Sequence, residues 1–146
     1  MITGFSHIYL PVRDVDESIA FYTRRLGFKL LRKYRMTDGG NPSAYVELGE
    51  VLLELMQARQ PTPGEEGRVE PRIGLTVTDM DEAMRDLKAN GVQVEREPFD
   101  ARTFWGRQAM IKDPSGYGIS LREWHAPDNP HFDDWQPKHE GVSRIA

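Results

Sequence analysis

The sequence predicts an α+β fold in which one βαβββ unit is used twice. Three observations carry this: a repeat, a two-residue alternation opening each copy, and a capped helix following it. "SHIYLPVRDVDES" at residues 6–18 returns as "PRIGLTVTDMDEA" at residues 71–83. The offset is 65 residues, with Leu10 matching Leu75, Val12 Val77, Asp14 Asp79 and Glu17 Glu82. A unit that recurs this way is one supersecondary block built twice.

Each copy begins with a strand. Ile8, Leu10 and Val12 alternate with more polar residues, as do Ile73, Leu75 and Val77, and a period of two marks a strand with one face buried. Asp14 then stands as helix N-cap with Glu17 three residues on, and Asp79 with Glu82 repeats it, a capping-box spacing with Asp in place of Ser or Thr. Helices are expected over about 15–25 and 80–90, with Ile19, Tyr22 and Leu26 on one apolar face and Ala83, Met84 and Leu87 on the other. Gly27 and Gly91 fall where a helix end wants glycine. Three strand-like stretches follow each glycine: "FKLLRKYRM", "SAYVELG" and "VLLELMQ", then "VQVEREPF", "RQAMIKD" and "GISLREW". "TDGGNPS" and "DPSGYG" read as turns. The predicted organisation is one domain over 1–124: unit one at 1–58, a Pro- and Gly-rich linker at 59–70, and unit two at 71–124. An irregular polar tail follows at 125–146.

Bulk properties exclude several roles. A chain of 146 residues with 38% hydrophobic and 29% charged residues suits one soluble globular domain. Its net charge of -4 gives no reason to expect nucleic acid or an anionic membrane as partner. No apolar run approaches the roughly 20 residues of a membrane helix, and "MITGFSHIYL" lacks the basic start and apolar stretch of a signal peptide. Without cysteine there is no disulfide, thiolate zinc site or cysteine nucleophile, and the default location is cytoplasmic.

Alternation also sorts the faces. Under the helices go Ile8, Leu10, Val12, Leu53 and Leu55 in unit one, and Ile73, Leu75, Val77, Ile119 and Leu121 in unit two. The opposite faces then carry His7, Tyr9, Leu52, Glu54 and Met56, and Arg72, Gly74, Thr76, Gly118, Ser120, Arg122 and Trp124. Glu54 interrupts the apolar run "VLLELM". A carboxylate in an apolar wall costs several kcal/mol, on the order of the transfer penalty, unless it is paired, coordinated or wet. Either the face is open to solvent and Glu54 is an ordinary exposed residue, or a partner meets it.

"HIYLPVRDVDESIAFYTRRLGF", "VELGEVLLELMQ", "IGLTVTDMDEAMRDLKANGV" and "IKDPSGYGISLRE" together resemble the vicinal oxygen chelate superfamily, which includes glyoxalases, bleomycin-resistance proteins and extradiol dioxygenases. The resemblance runs through nearly all of residues 5 to 123 and implies paired βαβββ units forming an open curved mixed sheet around a cleft. It also implies a homodimer whose units pair within or across chains, and a metal held at the first and fourth strands of each unit. Residue by residue, these places hold His7 and Glu54, which suit a ligand, then Arg72, which has no lone pair to offer, and Ser120, a weak ligand.

Two of four ligands fall short of the three a catalytic divalent site keeps. His125, His131 and His139 in the tail are spaced by five and seven intervening residues, which matches no ligand motif. An arginine at the metal place repels a cation and can pair with Glu54 instead. The expectation is therefore no cofactor, or a weakly held divalent metal on His7 and Glu54, with an Arg72–Glu54 pair filling the place.

Other groups offer chemistry or contact. His7 can act as a general base oriented by Glu54, or be a satisfied pocket-wall histidine. Tyr9 can donate to a carbonyl or simply pack. Phe104 and Trp105 in "DARTFWGRQ" can stack on a flat ligand or pack at a rim. Ser120 and Arg122 complete the substrate-binding candidates with Tyr9, Arg72 and Trp105, Arg122 suiting an anionic group. The resemblance implies a glyoxalase-like small-molecule enzyme of lyase, isomerase or dioxygenase type, with a degenerate metal site and with His7 and Glu54 as catalytic residues. The other reading is a metal-free protein that binds a small, antibiotic-like compound.

Overall fold

The computed structural model describes residues 1, 3–35, 37, 39–58 and 71–125. The expected linker, His131, His139 and all of the tail beyond His125 lie outside these. The first unit runs β1 (Ile8–Val12), α1 (Val15–Arg24), β2 (Lys29–Tyr34), β3 (Ser43–Leu48) and β4 (Val51–Gln57). The second runs β5 (Ile73–Thr76), α2 (Met80–Ala89), β6 (Gln93–Asp100), β7 (Gly106–Lys112) and β8 (Gly118–Trp124). Each unit is a four-stranded open mixed sheet, ordered β1-β4-β3-β2 and β5-β8-β7-β6. The first and fourth strands pair parallel at the edge, and the remainder pair antiparallel. This is the predicted α+β fold, with both βαβββ orders as expected.

The helix starts follow from the aspartates. Asp14 accepts from the Glu17 backbone N–H at 2.8 Å and Asp79 from that of Glu82 at 2.8 Å, each satisfying one orphan donor of a first turn. The reciprocal half of the box is diverted in unit one, where the Glu17 carboxylate takes Arg13 at 2.8 Å. Gly27 and Gly91 end the helices at φ 75° and 73°, the left-handed conformation that a side chain disfavours.

Beneath the helices lie Val12, Leu53 and Leu55, and Ile119 and Leu121, all but fully buried. The buried stripe of α1 is Val15, Ser18, Phe21 and Tyr22, rotated from the expected one, since Ile19 and Leu26 are only half-buried. α2 buries Met80, Met84 and Leu87, with Ala83 half-buried. The turn at residues 113–117 belongs to the first compact unit, and its buried Asp113 accepts from the Tyr22 hydroxyl at 2.9 Å. Tyr117 donates to the Pro11 carbonyl at 2.7 Å, and Ser115 accepts from the Arg13 N–H at 3.0 Å. Burial pushes the Asp113 carboxyl above its usual range, against the pull of its donors, and pushes the Tyr22 hydroxyl up as well. Among the described residues, no helix is long and apolar enough to cross a membrane.

Candidate functional site

In the first unit the parallel register sets Tyr9 beside Glu54 and Ile8 beside Leu53, so His7 enters just ahead of β1 on the face that carries Glu54. His7 Nε2 lies 2.9 Å from Glu54 Oε2. The other carboxylate oxygen, Oε1, accepts from the Tyr34 hydroxyl at 2.6 Å. Tyr45 stands directly across from Glu54 in the β3–β4 register. Its ring stacks on Tyr34 with centroids 5.7 Å apart and turns an edge to His7 at 6.1 Å. Ser6 Oγ lies 2.8 Å from His7 Nδ1. Tyr9 is exposed and donates to the Met56 thioether at 3.3 Å, a weak bond to a soft acceptor.

Glu54 therefore sits in a wall and is met on both oxygens. Its side chain is 12% exposed and that of His7 is 32% exposed, so the carboxylate is sheltered while the imidazole is reachable. The hydrogen bond from Tyr34 holds the Glu54 carboxyl below its usual range, overcoming the upward push of burial, with Tyr45 and His7 helping. The same bond pushes the Tyr34 hydroxyl up to about 12.

In the second unit the corresponding face is built differently. Where the sequence suggested Glu54 as the partner of Arg72, the guanidinium binds a carboxylate of its own unit, both oxygens of Glu95 at 2.6 and 3.0 Å. To reach β6 from the β5 edge it lies over Gly118, where a Cβ would collide with it. The fork-to-carboxylate geometry is the strong form of the contact, and Glu95 is held below its usual range chiefly by that bond. Ser120 is buried and accepts from Gln108 Nε2 at 2.7 Å. The Arg122 guanidinium carbon lies 4.9 Å from the Phe104 ring centre and 5.6 Å from that of Trp124. Trp105 is half-buried, and its carbonyl accepts from the His125 N–H at 2.7 Å. The His125 ring pairs with Glu123 at 2.6 Å.

Among the described residues, the donor set falls short of what a resident divalent ion requires. Of the four places implied by the resemblance, one holds a guanidinium committed to a carboxylate and one a hydroxyl committed to an amide. His7 and Glu54 remain, and among the described residues no group of three or more His, Cys, Asp or Glu converges as a metal site. Two protein ligands are one short of an open catalytic site.

The sequence reading missed Tyr34, Tyr45, Ser6, Gln108 and Glu95. Tyr45 was within reach: counting outward from the two-residue turn Gly49–Glu50, where Leu48 pairs Val51, places Tyr45 opposite Glu54. Tyr34 and Glu95 were not, because β2 and β6 shift register between Leu30 and Arg32 and between Val94 and Arg96, and one extra residue inverts which face the count assigns.

Comparison with known proteins agrees with the geometry. The family model described as Glyoxalase/Bleomycin resistance protein/Dioxygenase superfamily matches residues 4–121. A probable lactoylglutathione lyase of Vibrio cholerae serotype O1 is 34% identical over 119 residues, spanning 79% of this chain and 86% of its own length. The lactoylglutathione lyase of Salmonella typhimurium is 34% identical over 121 residues, spanning 80% and 90%. Among solved structures, the trypanothione-dependent glyoxalase I of Leishmania major superposes with a TM-score of 0.66 at 30% identity, covering 80% of this chain and 84% of that one.

Proposed function

We propose, on the premise that this chain belongs to the glyoxalase, bleomycin-resistance and dioxygenase superfamily, that it is an enzyme moving a proton between adjacent carbons of a small oxygenated carbonyl compound. In this reading it works as an isomerase or lyase without a resident metal. The observation that carries this is the chain Tyr34–Glu54–His7, with both carboxylate oxygens engaged and the imidazole accessible.

The roles follow from the hydrogen bonds. Tyr34 keeps Glu54 ionised. The carboxylate fixes the histidine proton on Nε2 and stabilises the imidazolium that forms when the ring takes up a second proton. The lone pair is then on Nδ1, where the Ser6 hydroxyl donates to it in the resting protein, and a substrate C–H displaces that hydroxyl. The proton leaves the carbon beside a carbonyl for Nδ1, and its electron pair moves into the carbonyl to give an enediolate. His7 then returns the proton to the neighbouring carbon, while the hydroxyl proton of the first carbon passes to the former carbonyl oxygen, so that carbonyl and hydroxyl exchange places. No oxidant is consumed. A positioned acid–base group of this kind is worth about 10²–10⁴-fold in rate. The names of the curated relatives support a substrate of this class, since lactoylglutathione is a 2-hydroxyacyl thioester.

The test is deuterium uptake from heavy water at the carbon beside the carbonyl, using methylglyoxal mixed with glutathione and, separately, phenylpyruvate. Exchange above the buffer rate with either, reduced about 10²–10⁴-fold in His7→Ala, is the expected result. Exchange with neither, or exchange indifferent to His7, contradicts the proposal.

A further inference from the structure

We infer that the outer edge of β2 in the first unit docks an extended acidic segment of a partner protein as an added strand. β2 ends its sheet, and among the described residues no strand pairs on its outer side. The N–H and C=O groups of alternate residues therefore point away from β3 with no ladder to receive them. Its residues Lys29 to Lys33 are all exposed. Leu30 and Leu31, adjacent on this strand, are 41% and 44% exposed, which leaves apolar surface at an open edge. Residues 24–35 hold six cations and no carboxylate: Arg24, Arg25, Lys29, Arg32, Lys33 and Arg35. All six are exposed. Lys33 meets Asp16 at 2.6 Å. Among the described residues, no carboxylate forms an ion pair with Arg24, Lys29, Arg32 or Arg35. The edge offers main-chain hydrogen bonds, apolar contact and positive charge together, and strand addition by an acidic segment uses all three.

The equivalent edge of the second unit, β6, is blunted. Pro98 has no N–H to donate there. Glu95 is taken by Arg72 and Glu97 by Lys88, and Arg96 lies over the Phe99 ring at 3.5 Å. The charges of β6 are mixed and paired within the unit, whereas those of β2 are of one sign and mostly without an acidic partner. That difference also selects the occupant. A second β2 edge would set cation against cation. An anionic lipid surface could bury the leucines only by taking an unpaired strand edge out of water. Single-stranded nucleic acid gains from exposed rings on which bases stack, and the aromatic residue of β2, Tyr34, is half-buried against Tyr45 and Glu54. A segment in which carboxylates alternate with apolar side chains satisfies the backbone, the leucines and the cations at once.

Docking at this edge does not rest on the proton-transfer reading. The probe is a blocked fluorescent peptide of alternating Glu and Val, six residues long to match β2, titrated into the full chain by fluorescence anisotropy. One control peptide has Lys in place of Glu. The other is the Glu–Val peptide N-methylated throughout, which keeps the charge and removes the backbone donors. The Glu–Val peptide is expected to bind on the order of tenfold tighter than either control and to slow amide hydrogen exchange in β2. Lys29→Glu combined with Arg32→Glu should lower its affinity on the order of tenfold. Absence of binding, equal binding of the N-methylated peptide, unslowed exchange in β2, or full affinity in the double variant overturns the inference, and the first three need no variant to fold. Tighter binding of phosphatidylserine vesicles or of a single-stranded oligonucleotide than of the peptide overturns it as well.

Discussion

The two units share a skeleton and differ on one face. Asp14 and Asp79 cap their helices at the same distance, Gly27 and Gly91 close them at nearly the same φ, and the fourth strands bury matching pairs, Leu53 with Leu55 and Ile119 with Leu121. On the other face, unit one sets His7, Glu54 and Tyr45 where unit two sets Arg72, Ser120 and Met110. The carboxylate has also moved, from the β4 strand next to the edge in unit one to the β6 edge strand in unit two. Burial under a helix constrains one side of each strand and leaves the other free to change chemistry. One face thus carries a sheltered tyrosine–carboxylate–imidazole chain and the other an arginine–carboxylate pair and a buried serine–amide pair.

This contrast can be tested by substitution. The largest effect is expected from Glu54→Gln. The amide cannot stabilise an imidazolium or hold the tautomer as a carboxylate does, so deuterium exchange should fall about 10²-fold or more with the fold intact by circular dichroism. A smaller loss makes His7 independent of Glu54. On the shared side, Leu55→Ala and Leu121→Ala remove fully buried side chains at equivalent places, and each should cost about 2–5 kcal/mol in chemical denaturation. Markedly unequal costs would break the equivalence of the two cores.

Tyr34→Phe comes next. Its hydroxyl is the main cause of the lowered Glu54 carboxyl, so its loss should shift the acid limb of the exchange rate to higher pH. Stability follows the same sign. A depressed carboxyl contributes stability above its unfolded value and loses it as pH falls through the folded one, so the variant should gain less from Glu54 near neutrality. An unmoved acid limb would remove Tyr34 from the chain. The smallest effect is expected from Arg72→Met. The Arg72–Glu95 pair is partly exposed, and its loss should cost about 1 kcal/mol or less and leave the acid limb in place. A displaced limb would mean that Arg72 acts on Glu54 after all.

How much was legible in the sequence divides along the same line. The repeat, both caps, both closing glycines and the βαβββ order follow from local spacing, because turn chemistry and the buried period write themselves into adjacent residues. His7, Glu54, Arg72, Ser120 and Arg122 were assignable to the non-helical faces for the same reason. Their partners were not. Arg72 meets Glu95 across the sheet and over a glycine, and Tyr34 meets Glu54 across a shifted register, so neither pairing can be counted from the chain. Tyr22 meets Asp113 from 91 residues away, through a turn whose composition announced a bend and not a destination.

The most direct test of the central claim, proton transfer by His7 and Glu54 without a resident metal, is the exchange rate of the wild-type protein before and after exhaustive chelation. The rate should be unchanged by chelation and by subsequent addition of manganese, iron, nickel or zinc. Loss of exchange on chelation, restored by one of these ions, would contradict it.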